Sequence, residues 1–217
     1  MPLERAAAVA FRLLDLGFFR VGNDVYADAN GSFGLTTLQR RHVRRLGDGV
    51  VFRFVGKSGI EHAITITDPA AMAALEVMRR RRAPGNRLLA YRGSTGWQDV
   101  TSTTVNDYLA AAFGGGLTAK DFRTWHAGVI AAESLALSDE QGNTAASRGR
   151  AVVAAVASVA EYLGNTPAIA KSSYIDRRII ERYESGQTIE SAARRHHRSA
   201  AVRRADLEAA LLDLLGY

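Results

Sequence analysis

The chain has 217 residues, 47% of them hydrophobic, with a formal net charge of +6 and no cysteine. That length allows one large domain or two small ones with a substantial core, and the missing cysteine excludes disulfides, thiolate metal sites and cysteine nucleophiles. No apolar run reaches a membrane span and no signal-peptide pattern opens the chain, so a cytoplasmic location is expected, and the basic balance points to a polyanionic partner, nucleic acid first.

Residues 4–17 read as a helix, with Phe11, Leu13, Leu14 and Leu16 on an apolar stripe and Gly17 as its stop. The segment up to about residue 40 is rich in Asn, Asp and Gly and reads as loop. Three strand-like runs follow: HVRRL, VVFRFV and IEHAITIT, joined by the turn signals GDG and GKSG. They predict a three-stranded antiparallel meander over about 35–67, with Lys57 in the connection between its last two strands. The rest reads as helix. Asp68 and Pro69 suit the cap and first turn of a helix through the RRRR run. TSTTVNDYLAAAF is a short helix stopped by Gly114, and another begins near Thr118. A helix from Arg150 ends at Gly164, one from about Tyr174 runs to Tyr183, and the arginine-rich tail, about 186–217, reads as helical. The fold class expected is therefore α+β, mainly α, as a single catalytic-size domain over 1–217.

All but three of the 28 basic residues are arginine; the exceptions are Lys57, Lys120 and Lys171. Codon bias explains the depletion but not which positions remain lysine. Lysine can give up its proton and arginine cannot, so each of the three is a candidate proton donor. GKS at Gly56–Ser58 is not a phosphate-binding loop, because the glycine that pattern requires falls on Val51 within a strand and no helix follows. The five histidines, His42, His62, His126, His196 and His197, form no HExxH pattern, so no metal is expected. His196 and His197 read as a solvated face. No acid stands out as one of a glycosidase pair.

What remains is a basic constellation. Arg20 follows two aromatics, Lys57 sits at a hairpin tip, Arg123 lies near a helix start, and Asn165 and Tyr174 flank a polar loop. Singly, each has an ordinary reading as an ion pair, cap, turn or packing residue. Together with their surroundings, GFFRVG, FGLTTLQRRHV, FRFVGKSGIEH, KDFRTWHAGV and LGNTPAIAKSSY, they occur in the order and approximate spacing of one family. From about Leu14 to Arg182 the chain resembles the catalytic domain of type IB DNA topoisomerases, especially the small viral and bacterial members.

That resemblance implies a reaction. Tyr174 attacks a DNA phosphodiester and becomes linked to the 3′ phosphate. Lys57 protonates the departing 5′ oxygen. Arg20 and Arg123 hold the non-bridging oxygens, and Asn165 stands where many members carry histidine. Tyr26 and Lys120 are implied DNA contacts, and Lys171, beside the nucleophile loop, is expected to meet a phosphate. The physics agrees with these roles, since phosphoryl transfer needs positioning and charge stabilisation more than covalent help. Guanidinium forks match phosphate oxygens. The implied partner is double-stranded DNA, bound by a monomer in the cytoplasm with the nucleoid; no cofactor, metal, ATP or membrane is needed. The family's N-terminal clamp domain is not expected in this chain. Tyrosine recombinases share the fold and nucleophile but show His-x-x-Arg where this chain has Lys120-Asp121-Phe122-Arg123. A DNA-binding module without catalysis is the third reading.

Overall fold

The computed structural model describes residues 1–23, 31–138 and 144–217. The chain divides into two units, Met1–Arg123 and Thr124–Tyr217. It is mainly helical with a small three-stranded antiparallel sheet, the α+β class expected.

The first unit is organised around helix α1 (Leu3–Gly17), which buries Ala6, Ala10, Leu13 and Leu14 along one stripe. Phe18 ends it in the left-handed region, at φ 57°. Strands β1 (Val43–Leu46), β2 (Gly49–Val55) and β3 (Glu61–Ile66) pair in sequence order. The register sets Val43 opposite Phe52, Phe52 opposite Ile64, and Phe54 opposite His62. Alternation then sorts the faces. Val43, Phe52 and Ile66 are buried, whereas Arg44, Arg53 and Thr65 face outward. Helix α2 (Pro69–Arg80) starts where its cap and proline predict.

The arginine run at the end of α2 is not uniformly solvated. Arg81 turns inward and donates to the carbonyls of Met78, Arg87 and Leu88 at 2.8, 2.7 and 3.0 Å. It thereby satisfies backbone acceptors that a helix end leaves open. A hairpin that the sequence reading lacks follows, β4 (Ala90–Gly93) and β5 (Gly96–Asp99), with Gly96 at φ 120°. Its strands are four residues each, too short for a periodicity signal. Helix α3 (Ser102–Phe113) is capped by Thr101 and closed by Gly114 in the left-handed region. Helix α1 packs on α2, α3, β3 and β4.

Helix α4 (Ala119–Ala136) belongs to the first unit through Arg123 and to the second thereafter. The second unit continues with α5 (Ala145–Leu163), α6 (Pro167–Ser173), α7 (Arg177–Glu184), α8 (Glu190–Ala193) and α9 (Ala200–Leu215). Its core includes Leu135, Val159, Leu163, Ile179 and Leu211. Gly128 lets α4 approach closely, because a Cβ there would stand 3.3 Å from Ile179 and 3.4 Å from Leu211. Among the described residues no single helix is long and apolar enough to cross a membrane.

One expectation is corrected here. Tyr174 does not start a helix; it ends α6, because Thr166 and Pro167 begin that helix seven residues earlier and Asp176 caps the next one at Arg178. The tail is helical as expected, in more than one piece. It breaks between α8 and α9, where Arg195 and His197 both bind Asp206, at 2.7 and 2.9 Å, and Ser199 caps the final helix.

Asp68 ties α2 to α1. Its side chain accepts from the Ala71 amide at 2.8 Å and from Arg12 at 3.1 Å. That amide bond chiefly, and then Arg12, hold the carboxyl below its ordinary pKa against the opposing effect of burial. A depressed carboxylate adds stability above its unfolded pKa, about 3.9, and loses it as pH falls through the lowered folded value. Asp68→Ala is expected to cost about 1 kcal/mol at neutral pH. In urea titrations the gap from wild type should close on acidification below the unfolded pKa.

Candidate active site

The site begins with backbone, not side chains. The Leu35 and Thr36 amides donate to the carbonyls of Arg20 and Val21 at 2.7 and 2.8 Å. Thr36 Oγ1 adds a bond to the Val21 carbonyl at 2.9 Å. The approach is close enough to require glycine, since a Cβ on Gly34 would stand 2.5 Å from Gly22 Cα. The Phe33 amide reaches the Val55 carbonyl at 2.8 Å, so the same segment is pinned to the end of β2. GFFRVG, FGLTT and FRFVG are thus three parts of one local structure.

Where those parts meet lies a cleft of about 580 Å³. Arg20, Asn23, Ser32, Lys57 and Ser58 line it, and none of its described lining residues is acidic. Lys57 is exposed and has no hydrogen bond or ion pair among the described residues. It opens a short turn, Lys57–Gly59, closed by the Gly56 amide on the Ile60 carbonyl at 2.7 Å. Ser58 in that turn has φ 63°. A left-handed serine costs about 1 kcal/mol or more, and such outliers gather at functional sites.

Arg123 is buried, with 5% of its surface exposed, and donates from Nη1 to the Phe18 carbonyl at 2.6 Å. It therefore holds the left-handed turn at the end of α1, two residues before Arg20. The charges of Arg123 and Arg20 both reach His62 on β3. Burial foremost, then Arg123 and then Arg20, hold the His62 pKa below its ordinary value. Arg20, His62 and Arg123 are accordingly neighbours in the first unit, with Lys57 and Arg20 on one cleft. Lys120, also in this unit, is exposed on the first turn of α4.

Asn165, Lys171 and Tyr174 belong to the second unit. Gly164, at φ 61°, stops α5, and the Asn165 amide donates back to the Ala160 carbonyl at 2.8 Å. The chain then turns so that α5 and α6 are bent 96° apart. Tyr174 is half-buried at the C-terminus of α6, with its ring against that unit's core and its amide on the Ala170 carbonyl at 3.2 Å. Lys171 is exposed one turn earlier. The Tyr26 assignment lies outside the described residues. Among the described residues no group of three or more His, Asp or Glu side chains is placed to hold a metal ion.

The family model for the catalytic core of eukaryotic DNA topoisomerase I matches residues 1–200. The chain belongs to the DNA topoisomerase I family. It is similar to DNA topoisomerase 1B of Acanthamoeba polyphaga mimivirus, 29% identical over 174 residues, which is 76% of this chain and 51% of the viral protein. It is also similar to DNA topoisomerase 1 of Schizosaccharomyces pombe (strain 972 / ATCC 24843), 31% identical over 137 residues, covering 62% of this chain and 16% of the yeast protein. The chain thus spans about half the length of the viral topoisomerase and a smaller share of the yeast one.

Sequence reasoning missed one member of the neighbourhood. His62 is dismissed as a metal ligand and given no other role, though it closes the FRFVGKSGIEH motif that carries Lys57. Pairing arithmetic across the hairpin would have put it opposite Phe54, at the base of the lysine turn.

Arg123 is a structural residue whatever else it does. Arg123→Ala removes a bond from a charged donor to a buried turn and should destabilise the protein by about 1.5–3 kcal/mol in urea unfolding. Arg123→Lys should restore part of this, because one cationic donor remains.

Proposed function

We propose that this chain is the catalytic part of a type IB DNA topoisomerase, relaxing supercoiled DNA by transient cleavage of one strand. The observation that carries the reading is the cleft of the first unit, which Arg20 and Lys57 both line and whose described lining residues include no acid. Two cations lining one cleft favour a bound phosphate. Family membership supplies the anion's identity as a DNA phosphodiester.

In this reading Tyr174 Oη bonds to the scissile phosphorus, its proton leaves to solvent, and the bond from phosphorus to the 5′ oxygen breaks. The Lys57 ammonium gives a proton to that oxygen. The product is a 3′-phosphotyrosyl link and a free 5′-hydroxyl. The reverse sequence reseals the strand: the 5′-hydroxyl attacks, Lys57 takes its proton back, and the tyrosyl oxygen departs. One phosphoester replaces another, so religation needs no ATP. Arg20 and Arg123 stabilise the non-bridging oxygens as charge shifts, each such donor contributing roughly 3–4 kcal/mol in the transition state. Asn165 donates an amide hydrogen to the same phosphate. Tyr26, Lys120 and Lys171 contact flanking DNA. The partner is double-stranded DNA and the working form a monomer, placed in the cytoplasm on the nucleoid.

KDFR in place of His-x-x-Arg separates this proposal from a recombinase. Three expected results test it. Supercoiled plasmid should relax in chelator without ATP. Quenching with detergent should trap a covalent protein–DNA adduct, and Tyr174→Phe should abolish it; an adduct that survives this change would place the nucleophile elsewhere. Lys57→Ala should slow cleavage by about 100-fold or more. A substrate with sulfur at the 5′ bridging position should recover much of that loss, because a thiolate leaves without protonation.

A further inference from the structure

His62 packs beside the lysine turn. It pairs directly across from Phe54 in the β2–β3 ladder, and its ring stacks on Phe54 with centroids 5.0 Å apart and planes 23° from parallel. Phe54 in turn stacks on Phe19, at 5.8 Å and 19°. Phe19 precedes Arg20, so three rings in a row join the two strands of the hairpin to the arginine segment. At its other edge the imidazole abuts the backbone just ahead of Lys57. A Cβ on Gly56 would lie 2.6 Å from His62 Nε2 and 2.7 Å from Cδ2. Gly56 is in extended backbone, φ −94° and ψ −166°, which any residue adopts. The requirement for glycine there comes from the ring alone.

The ring's charge state matters as much as its place. Arg20 and Arg123 act on it from one side, and its own cleft adds Arg41, Arg44, Arg53 and Glu61, with His42 as a further titratable group. Burial foremost, and then the charges of Arg123 and Arg20, disfavour a cationic ring in this place. The neutral ring has no such penalty. Its nitrogens hold no hydrogen bond among the described residues, so packing and not a polar tether fixes it.

We propose that His62 is the positioning residue of the general acid: as a neutral ring wedged between Phe54 and Gly56, it sets the turn from which Lys57 reaches the 5′ oxygen. This rests on the reading of Lys57 as the acid. The inference concerns which group aims the lysine, and His62 itself does not touch the DNA.

The test is single-turnover cleavage of two duplexes, one ordinary and one with sulfur at the 5′ bridging position, by Lys57→Ala, His62→Ala, His62→Phe and Gly56→Ala. A misplaced acid costs on the order of tenfold to 100-fold. His62→Ala and Gly56→Ala should show a loss of that size on ordinary DNA and recover most of it on the sulfur substrate, as Lys57→Ala does. His62→Phe keeps the stack and should stay within about threefold of wild type. Wild-type cleavage should also fall on acidification as His62 gains its proton, and His62→Phe should lack that fall. If Lys57→Ala recovers on sulfur but His62→Ala and Gly56→Ala stay equally slow on both substrates, His62 acts on the fold and not on the lysine, and the inference is overturned. The same holds if His62→Phe keeps the wild-type acid limb. Should Lys57→Ala itself fail to recover, the general-acid reading falls, and this inference with it. Gly56→Ala keeps the imidazole and serves as the second variant if His62→Ala does not fold.

Discussion

Two amide hydrogen bonds decide where the cations of the first unit stand. By donating to the carbonyls of Arg20 and Val21, Leu35 and Thr36 turn a loop segment into a fixed edge. Bonds of this kind are worth only about 1 kcal/mol each to stability, but they specify geometry. Here they are reinforced by a close backbone crossing that only Gly22 and Gly34 permit. Arg20 is thereby delivered to the cleft by its backbone.

Elsewhere in the chain arginines are paired: Arg12 with Asp68, Arg79 with Glu76, Arg177 with Glu181, Arg194 with Glu190. These are mostly exposed pairs of small energetic weight. The described lining of the cleft includes no acid. The contrast separates arginines paired on a surface from the arginine that lines the cleft. Arg81 and Arg123 form a third class. Both are buried and both donate to backbone carbonyls, so each has a structural use that a count of positive charge cannot detect.

Much of this was legible in the sequence, and the exceptions have physical reasons. The meander was readable because strand-like apolar runs stand between turn residues, and α2 because Asp68 and Pro69 mark its start. The β4–β5 hairpin was not, since two four-residue strands have no room for a period. Tyr174 ends one helix and does not start the next, because the capping residues Thr166 and Asp176 divide that stretch into two helices. In the site, the motifs named Arg20, Lys57 and Arg123 as a set, and the structure makes Arg20 and Lys57 share a cleft and Arg20 and Arg123 share a neighbour. What no motif states is that Arg123 is buried against Phe18, or that His62 reaches Gly56. Both facts depend on close contacts between segments distant in sequence.

Asn165 bears on how the proposed reaction should respond to pH. An asparagine amide donates a hydrogen bond without titrating, whereas a histidine in that place gains and loses charge near neutrality. In the proposed reaction the Asn165 donor therefore does not change with pH. Within the first unit His62 has an ordinary pKa close to neutral, and burial foremost, then Arg123 and Arg20, push it lower. Burial of the imidazole comes first in favouring its uncharged form, and the guanidiniums of Arg123 and Arg20 add to that effect.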